Sequence, residues 1–308
     1  MRSARAAMAL VVGFSCSAAA AEKPLAELLA ACDQAAANPF DNTRPVGIPG
    51  VRLEKIVPET AIGACEEAAT AAPEDARIAM QLGRAYQAAK DFDAARIQFV
   101  KAYQSGNALA AANLASLYAK GQGVPKDDAE AVRLFKIAAD QGNAQGQNGL
   151  GYLIENGRGA PKDEIEAARL FRLSADQGYP LAQHNLGRLY RTGRGGLPKD
   201  EREAVRLFKL AADQGYAAGQ ASLGLAYIGG LGGLSKDERE AVRLFKLAAD
   251  QGDSIGQASL GLAYERALGG LPKDEREAAR LYKLAADQAN AVAQSFLARA
   301  NGAPPAPK

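Results

Sequence analysis

The chain has no tryptophan, one histidine and three cysteines among its 308 residues. Each scarcity removes a class of function. So few imidazoles and thiols do not supply the ligand set of a transition-metal site. His184 has no cysteine or aspartate companion at a revealing spacing, and the patterns His-Glu-x-x-His, Gly-x-Ser-x-Gly and Ser-x-x-Lys are missing. No enzymatic activity and no cofactor are therefore expected. An excess of charge of one sign is missing too. Once Arg2 and Arg5 leave with the leader described next, basic residues balance the 35 acidic ones. A surface of interspersed signs offers no footprint for a phosphate backbone or an anionic membrane, so neither is an expected partner.

Long hydrophobic runs are also lacking. The longest, Ala6 to Phe14, follows the basic Met1–Arg5 stretch and precedes the small residues Ser17 to Ala21. That is the order of a secretory signal peptide, with cleavage expected near Ala21. The run is too short to span a bilayer. Cys16 raises a lipoprotein alternative, but Gly13-Phe14-Ser15 fits a lipobox poorly, and the cysteine reads as discarded with the leader. The expected location is periplasmic or secreted, without membrane insertion after cleavage. Cys32 and Cys65 then remain as an even pair in an oxidising compartment, where a disulfide is the default. Closing that loop would contribute about 3–4 kcal/mol.

What the chain has in abundance is repetition. The fifteen residues EREAVRLFKLAADQG occupy 201–215 and again 238–252. A leucine followed by a small residue recurs at Leu82, Leu114, Leu150, Leu186, Leu223 and Leu260. One helical turn later on the same face stand Tyr86, Tyr118, Ile154, Tyr190, Tyr227 and Tyr264. A second helix follows in each unit. Its start is marked by Asp127, Asp163, Asp200, Asp237 and Asp274, each with a glutamate three residues on, which predicts reciprocal capping boxes. Its core face carries Leu-Phe or Leu-Tyr pairs, and Gly142, Gly178, Gly215 and Gly252 close it. Ala289 stands in that place in the fifth unit.

Between the two helices lie glycine-rich turns such as GQGVPKD and GRGGLPKD. A phosphate-cradling loop is the alternative, but no Gly-Lys-Ser/Thr follows and no strand precedes them, so they read as turns. One helix pair cannot stand alone. Ordering a unit of this size costs on the order of 50 kcal/mol, against about 1.5–3 kcal/mol for each large apolar side chain buried. Stacked neighbours supply the missing core.

With A-x-x-x-LG-x-x-Y, then G-x-G-x-PKD, then EAxRLFKxAADQG, the chain resembles the Sel1-like repeat family, within the tetratricopeptide-repeat-like superfamily. The resemblance covers five units, 107–142, 143–178, 179–215, 216–252 and 253–289. It implies an all-α fold, a right-handed α-solenoid of stacked antiparallel helix pairs. Residues 73–106 resemble a plain tetratricopeptide repeat serving as an N-terminal stacking unit. Upstream, 22–72 reads as two short helices, each with one cysteine, joined by a Pro- and Gly-containing loop. Residues 290–301 resemble a capping first helix, and 302–308 read as a disordered tail.

The resemblance also implies that first helices line the concave side, with positions −2 and +2 from each repeat leucine pointing into the groove. Read down the stack, the −2 column is Ala112, Asn148, His184, Ala221 and Ala258, and the +2 column is Ser116, Tyr152, Arg188, Leu225 and Leu262. A partner-binding groove is thus expected at Asn148, Tyr152, His184, Arg188, Arg191, Leu225, Ile228 and Leu262. Packing between helices is the alternative for Leu225 and Leu262, and a plain exposed polar residue for His184. If the face is right, Arg188→Glu or Leu225→Asp abolishes partner capture and leaves melting unchanged. The expected function is a non-enzymatic scaffold for a protein or peptide partner. Similar periplasmic repeat proteins imply a role with a membrane sensor ectodomain or in envelope polysaccharide synthesis. A cell-wall precursor or β-lactam binder is the alternative, weakened because relatives of that kind carry cysteines inside their repeats and these five units have none.

Overall fold

A computed structural model describes residues 23–41, 44–288, 290 and 293–294. The expected leader, the tail and most of the expected capping helix lie outside them. Among the described residues there are fourteen α-helices and no strand. They are α1 (Leu25–Ala36), α2 (Pro58–Ala71), α3 (Ala76–Ala88), α4 (Phe92–Gln104), α5 (Ala108–Lys120), α6 (Asp128–Asp140) and α7 (Ala144–Glu155). The series continues with α8 (Glu164–Asp176), α9 (Pro180–Thr192), α10 (Glu201–Asp213), α11 (Ala217–Gly229), α12 (Glu238–Asp250), α13 (Ser254–Arg266) and α14 (Glu275–Asp287). None of these is long and apolar enough to cross a membrane.

Each odd helix from α3 onward pairs with the next even one, and each pair stacks on its neighbour, which makes an α-solenoid. Neighbouring units join mainly through an even helix and the odd helix that follows it, and odd helices also meet one another, α5 with α7, α9 with α11 and α11 with α13, so they form the inner, concave layer. The repeat glycine after each leucine has a packing reason. At Gly187 and Gly224 a Cβ would come within 2.8 and 2.6 Å of the rings of Phe208 and Phe245 on the partner helix. The flat ring rests on bare backbone, and the repeat leucine of the following unit, Leu223 for Phe208 and Leu260 for Phe245, joins the ring in one core.

The expected aspartate caps form: Asp127, Asp163, Asp200, Asp237 and Asp274 each accept from the amide three residues on. The reciprocal half of the box does not. Glu130, Glu166, Glu203, Glu240 and Glu277 instead pair with an arginine one turn later. The amide each glutamate would have satisfied is already taken. The aspartate N–H donates to the carbonyl of residue 118, 154, 190, 227 or 264, tying the second helix of each unit to the first. A further tie closes the far end: Gln177, Gln214, Gln251 and Gln288 donate to Gln147, Gln183, Gln220 and Gln257 of the paired helix at 2.7–2.9 Å.

The glycine-rich turns pack on the preceding unit. A Cβ at Gly195 or Gly232 would lie 2.7 or 2.5 Å from the carbonyl oxygen of Glu164 or Glu201, and both glycines have φ near +65°. Backbone laid this close to backbone admits no side chain. Arg158 and Arg194 from two of these turns reach back to Asp128 and Glu164 of the unit before.

At the N-terminal end, α1 and α2 stack outside α3, so the pair α3 and α4 is covered and not terminal. Cys32 and Cys65 meet in the core of this layer with Cα atoms 4.6 Å apart, beside Ile78, Leu82 and Ala85 of α3. At the other end Ala293 is buried against Ala258, Tyr282 and Ala285.

Candidate functional site

The loop between α1 and α2 crosses the concave face. Its two ends are joined where the amide of Val51 donates to the carbonyl of Ala37 at 2.7 Å. The buried guanidinium of Arg84 on α3 holds the base by donating to the carbonyls of Ala36 and Val51. Arg44 braces the inside of the loop by donating to the carbonyls of Asn38 and Pro39. So fastened, the loop sends Phe40 across to Tyr179, edge to face with ring centres 5.0 Å apart, while the Arg52 guanidinium lies against Gly215.

A partly open cavity of about 590 Å³ lies between this loop and the inner helices. Asn113, Ser116 and Lys120 of α5 face it, and so do Gln145, Asn148 and Tyr152 of α7. Each set has the i, i+3, i+7 spacing of one helical stripe. His184 and Asn185 of α9 continue the wall, and Tyr179 and Tyr216 close it. A second cavity of about 170 Å³ lies further along, lined by His184, Arg188, Arg191, Phe208, Leu225 and Ile255 among others.

His184 is the partition between them. Its ring sits 5.6 Å from Phe208 and 5.7 Å from Tyr216, and Nε2 is 3.1 Å from Ser222 Oγ. Burial first, then the neighbouring Arg188 and Arg191, push its pKa down to about 4. The imidazole is neutral at pH 7, which suits packing among aromatics. Burial also raises Tyr179 to about 12 and raises Tyr216, so both phenols stay protonated.

The expected groove residues divide. Asn148, Tyr152 and His184 line the larger cavity; His184, Arg188, Arg191 and Leu225 line the smaller. Tyr152 and Leu225 are 46% and 44% exposed. Ile228 and Leu262 line neither. Ile228 is half-buried against the cluster of Val242, Phe245 and Leu260, and Leu262 against that of Ala258, Tyr282 and Ala285. The −2 column does not point freely into the groove: Ala112, Ala221 and Ala258 are core residues, and the buried Asn148 accepts from Asn185 at 3.0 Å. Arg188 is not a free cation either. It is paired with Glu155, so Arg188→Glu no longer serves as a fold-neutral probe.

Sequence reasoning placed the loop between α1 and α2 but missed its course over the concave face, and it missed Asn113 and the aromatic pair Tyr179 and Tyr216. One signal for the tyrosines was present. The residue capping the first helix is Asn107, Asn143 or Asp253 in three units, each accepting a backbone amide, but tyrosine in the other two, where no side-chain cap forms. A missing cap costs about 1 kcal/mol. The two tyrosines face the cavity instead. Among the described residues, no group of three or more His, Cys, Asp or Glu could hold a metal ion.

The Sel1 repeat profile matches residues 108–143, 144–179, 180–216, 217–253 and 254–290. Among solved structures, a Sel1 repeat protein from Oxalobacter formigenes is similar at 27% identity and a TM-score of 0.62, over 74% of this chain and 92% of that one. The protein c5321, a protective antigen of uropathogenic Escherichia coli strains displaying an SLR fold, is similar at 28% identity and a TM-score of 0.54. That match covers 82% of this chain but 53% of the antigen, so the chain spans about half the antigen's length. No curated protein matches the chain. Five consecutive matched units, each with its helix pair and turn in place, establish that the chain belongs to the Sel1 repeat family.

Proposed function

We propose that this chain is an exported, non-enzymatic scaffold that holds a protein or peptide partner against its concave face. The observation that carries the reading is the exposure of Tyr152, Leu225 and Ile255 on the inner helices α7, α11 and α13, beside two cavities. Large apolar side chains left open in a concave, partly walled surface are what partner anchors look like before association. Sel1 and related repeats serve as protein-binding scaffolds, which agrees.

The leader-like residues 1–21 and the cysteine pair support export to an oxidising compartment, where Cys32 and Cys65 form a disulfide. In that setting a membrane sensor ectodomain, or a protein of envelope polysaccharide synthesis, is the partner this reading favours.

The test is affinity capture from envelope extract with protein beginning at Glu22, beside a Tyr152→Ala/Leu225→Asp variant. A protein retained by the wild type and lost from an equally stable variant supports the groove. Equal retention by both refutes it. Mass measurement of the protein recovered from periplasm tests export, since an intact Met1 end would contradict the leader.

A further inference from the structure

The larger cavity contains a buried donor with nothing to donate to. Asn113 is 5% exposed; its Oδ1 accepts from Gln145 at 2.9 Å, while Nδ2 is buried with no hydrogen-bond partner. A buried amide left in this state is costly, and a fold that keeps one beside a cavity has an acceptor missing there. The inner helix that carries Asn113 presents Lys120 two turns further along the same stripe. The Lys120 ammonium has no ion-pair partner among the described residues, in contrast to Lys126, Lys162 and Lys199, which pair with acids close in sequence.

The charge of the lining has the same sense. Arg52, Arg84, Lys120 and Arg158 face the cavity against the one carboxylate of Glu54. Arg158 is matched by Asp128 outside it, Arg84 is spent on loop carbonyls, and Arg52 faces Glu54 at 3.9 Å. Lys120 and the Asn113 amide are therefore the open groups. The opposite wall is aromatic, and it already accepts a side chain from a stretch of polypeptide: Phe40 stands edge-on against Tyr179. A cavity of about 590 Å³ has the size of sites that enclose a ligand of several residues' bulk or less.

We infer that the chamber between the α1–α2 loop and the inner helices α5, α7 and α9 is a binding site for an acidic peptide segment, whose carboxylate or adjoining carbonyl accepts from Asn113 Nδ2 and pairs with Lys120. The aromatic wall of Tyr152, Tyr179 and Tyr216 receives the apolar side chain next to it. This rests on the proposal that the concave face holds a polypeptide. It adds the chemistry of the occupant, and it moves the specificity from the later units to a chamber that the repeats alone do not enclose.

The experiment uses the full mature chain and fluorescein-labelled peptides of about twelve residues, built from Gly and Phe with Asp, Asn or Lys at every third position. Binding is read by anisotropy at low salt and again at 0.3 M salt. The Asp peptide is expected to bind about tenfold more tightly than the Asn peptide, the Lys peptide not measurably, and Asn113→Leu and Lys120→Gln each to remove most of that margin. Asn113→Leu removes the unpaired donor but also the acceptor of the half-buried Gln145 amide, so the two effects offset and melting should change little. Lys120→Gln is exposed and covers the case in which Asn113→Leu does not fold. Three results overturn the inference: equal binding of the Asp and Asn peptides, a margin that survives both substitutions, or displacement of the Asp peptide by free glutarate at the same concentration as by unlabelled peptide. If Asp and Asn peptides bind equally and both are lost in Tyr152→Ala/Leu225→Asp, the groove stands and only the acidic specificity falls. If no peptide binds and envelope capture is also empty, both readings fall.

Discussion

Arg188 Nη2 donates to both carboxylate oxygens of Glu155, at 2.8 and 2.6 Å, across the boundary between the second and third Sel1 units. Glu155 is 3% exposed, and Arg194 approaches the same carboxylate at 3.5 Å. The pair sits beneath the concave surface and joins α7 to α9.

Reversing that charge is therefore a stability experiment. Arg188→Glu sets two carboxylates face to face with one buried, and Arg194 compensates only in part. The expected loss is about 3 kcal/mol in urea unfolding, with Arg188→Gln losing less because it adds no repulsion. An unchanged midpoint for Arg188→Glu would show that the Glu155 carboxylate reaches water in solution.

The helix pairs are legible in the sequence because their signals are local. Asp200 and the amide of Glu203 are within one turn of each other, and Leu186, Gly187 and Tyr190 mark one face of one helix. The groove is harder to read. Helix rotation decides whether a +2 residue such as Leu262 packs or protrudes, and that depends on the neighbouring unit, where Leu262 meets the cluster around Tyr282. The course of the α1–α2 loop was beyond reach for the same reason. Phe40 and Tyr179 carry no periodic relation, and their contact exists only once four helix pairs have stacked.

His184 gives a pH signature. Its pKa in the folded chain is about 4, below the ordinary 6.5. The unfolded chain thus binds the proton first as pH falls. Stability from the neutral ring is complete above about pH 6.5, declines as pH falls toward 4, and changes no further below that. The full difference is at most about 3 kcal/mol. Urea midpoints for wild type and His184→Gln should converge between pH 6.5 and 4, the wild type losing more. Glu164, held down to about 2 by Arg194 and then Lys162, acts in a lower window, between its ordinary range and pH 2. Parallel curves for the two proteins from pH 7 to 4 would mean that the ring is open to solvent.

Ala267 occupies a position that three other units give to glycine. It ends α13 at φ +55°, where Gly121, Gly193 and Gly230 end α5, α9 and α11 at +67°, +67° and +62°. A Cβ in the left-handed region is strained by about 1 kcal/mol. Ala267→Gly should raise the stability of the fifth unit by about that amount, read as slower amide exchange in α13 and α14, and Gly193→Ala should lower it by a similar amount in α9 and α10. Faster exchange in Ala267→Gly would mean that the entropy gained by the unfolded chain outweighs the relieved strain.

Phe40 fixes the loop over the larger cavity. With its base held by Arg84 and its interior by Arg44, the span beyond depends on the edge contact with Tyr179 and on Arg52 lying against Gly215. Removing the ring gives up a contact of about 0.5–1.5 kcal/mol beyond the area it buries. Phe40→Ala should therefore leave helix content and global melting nearly unchanged while trypsin cuts after Arg52 about tenfold faster, since local opening and not unfolding exposes that bond. Tyr179→Ala should produce the same acceleration from the other side of the contact. If neither substitution changes the cleavage rate, the loop is held by its base alone, and the aromatic wall is free to take a side chain from a partner without moving Phe40.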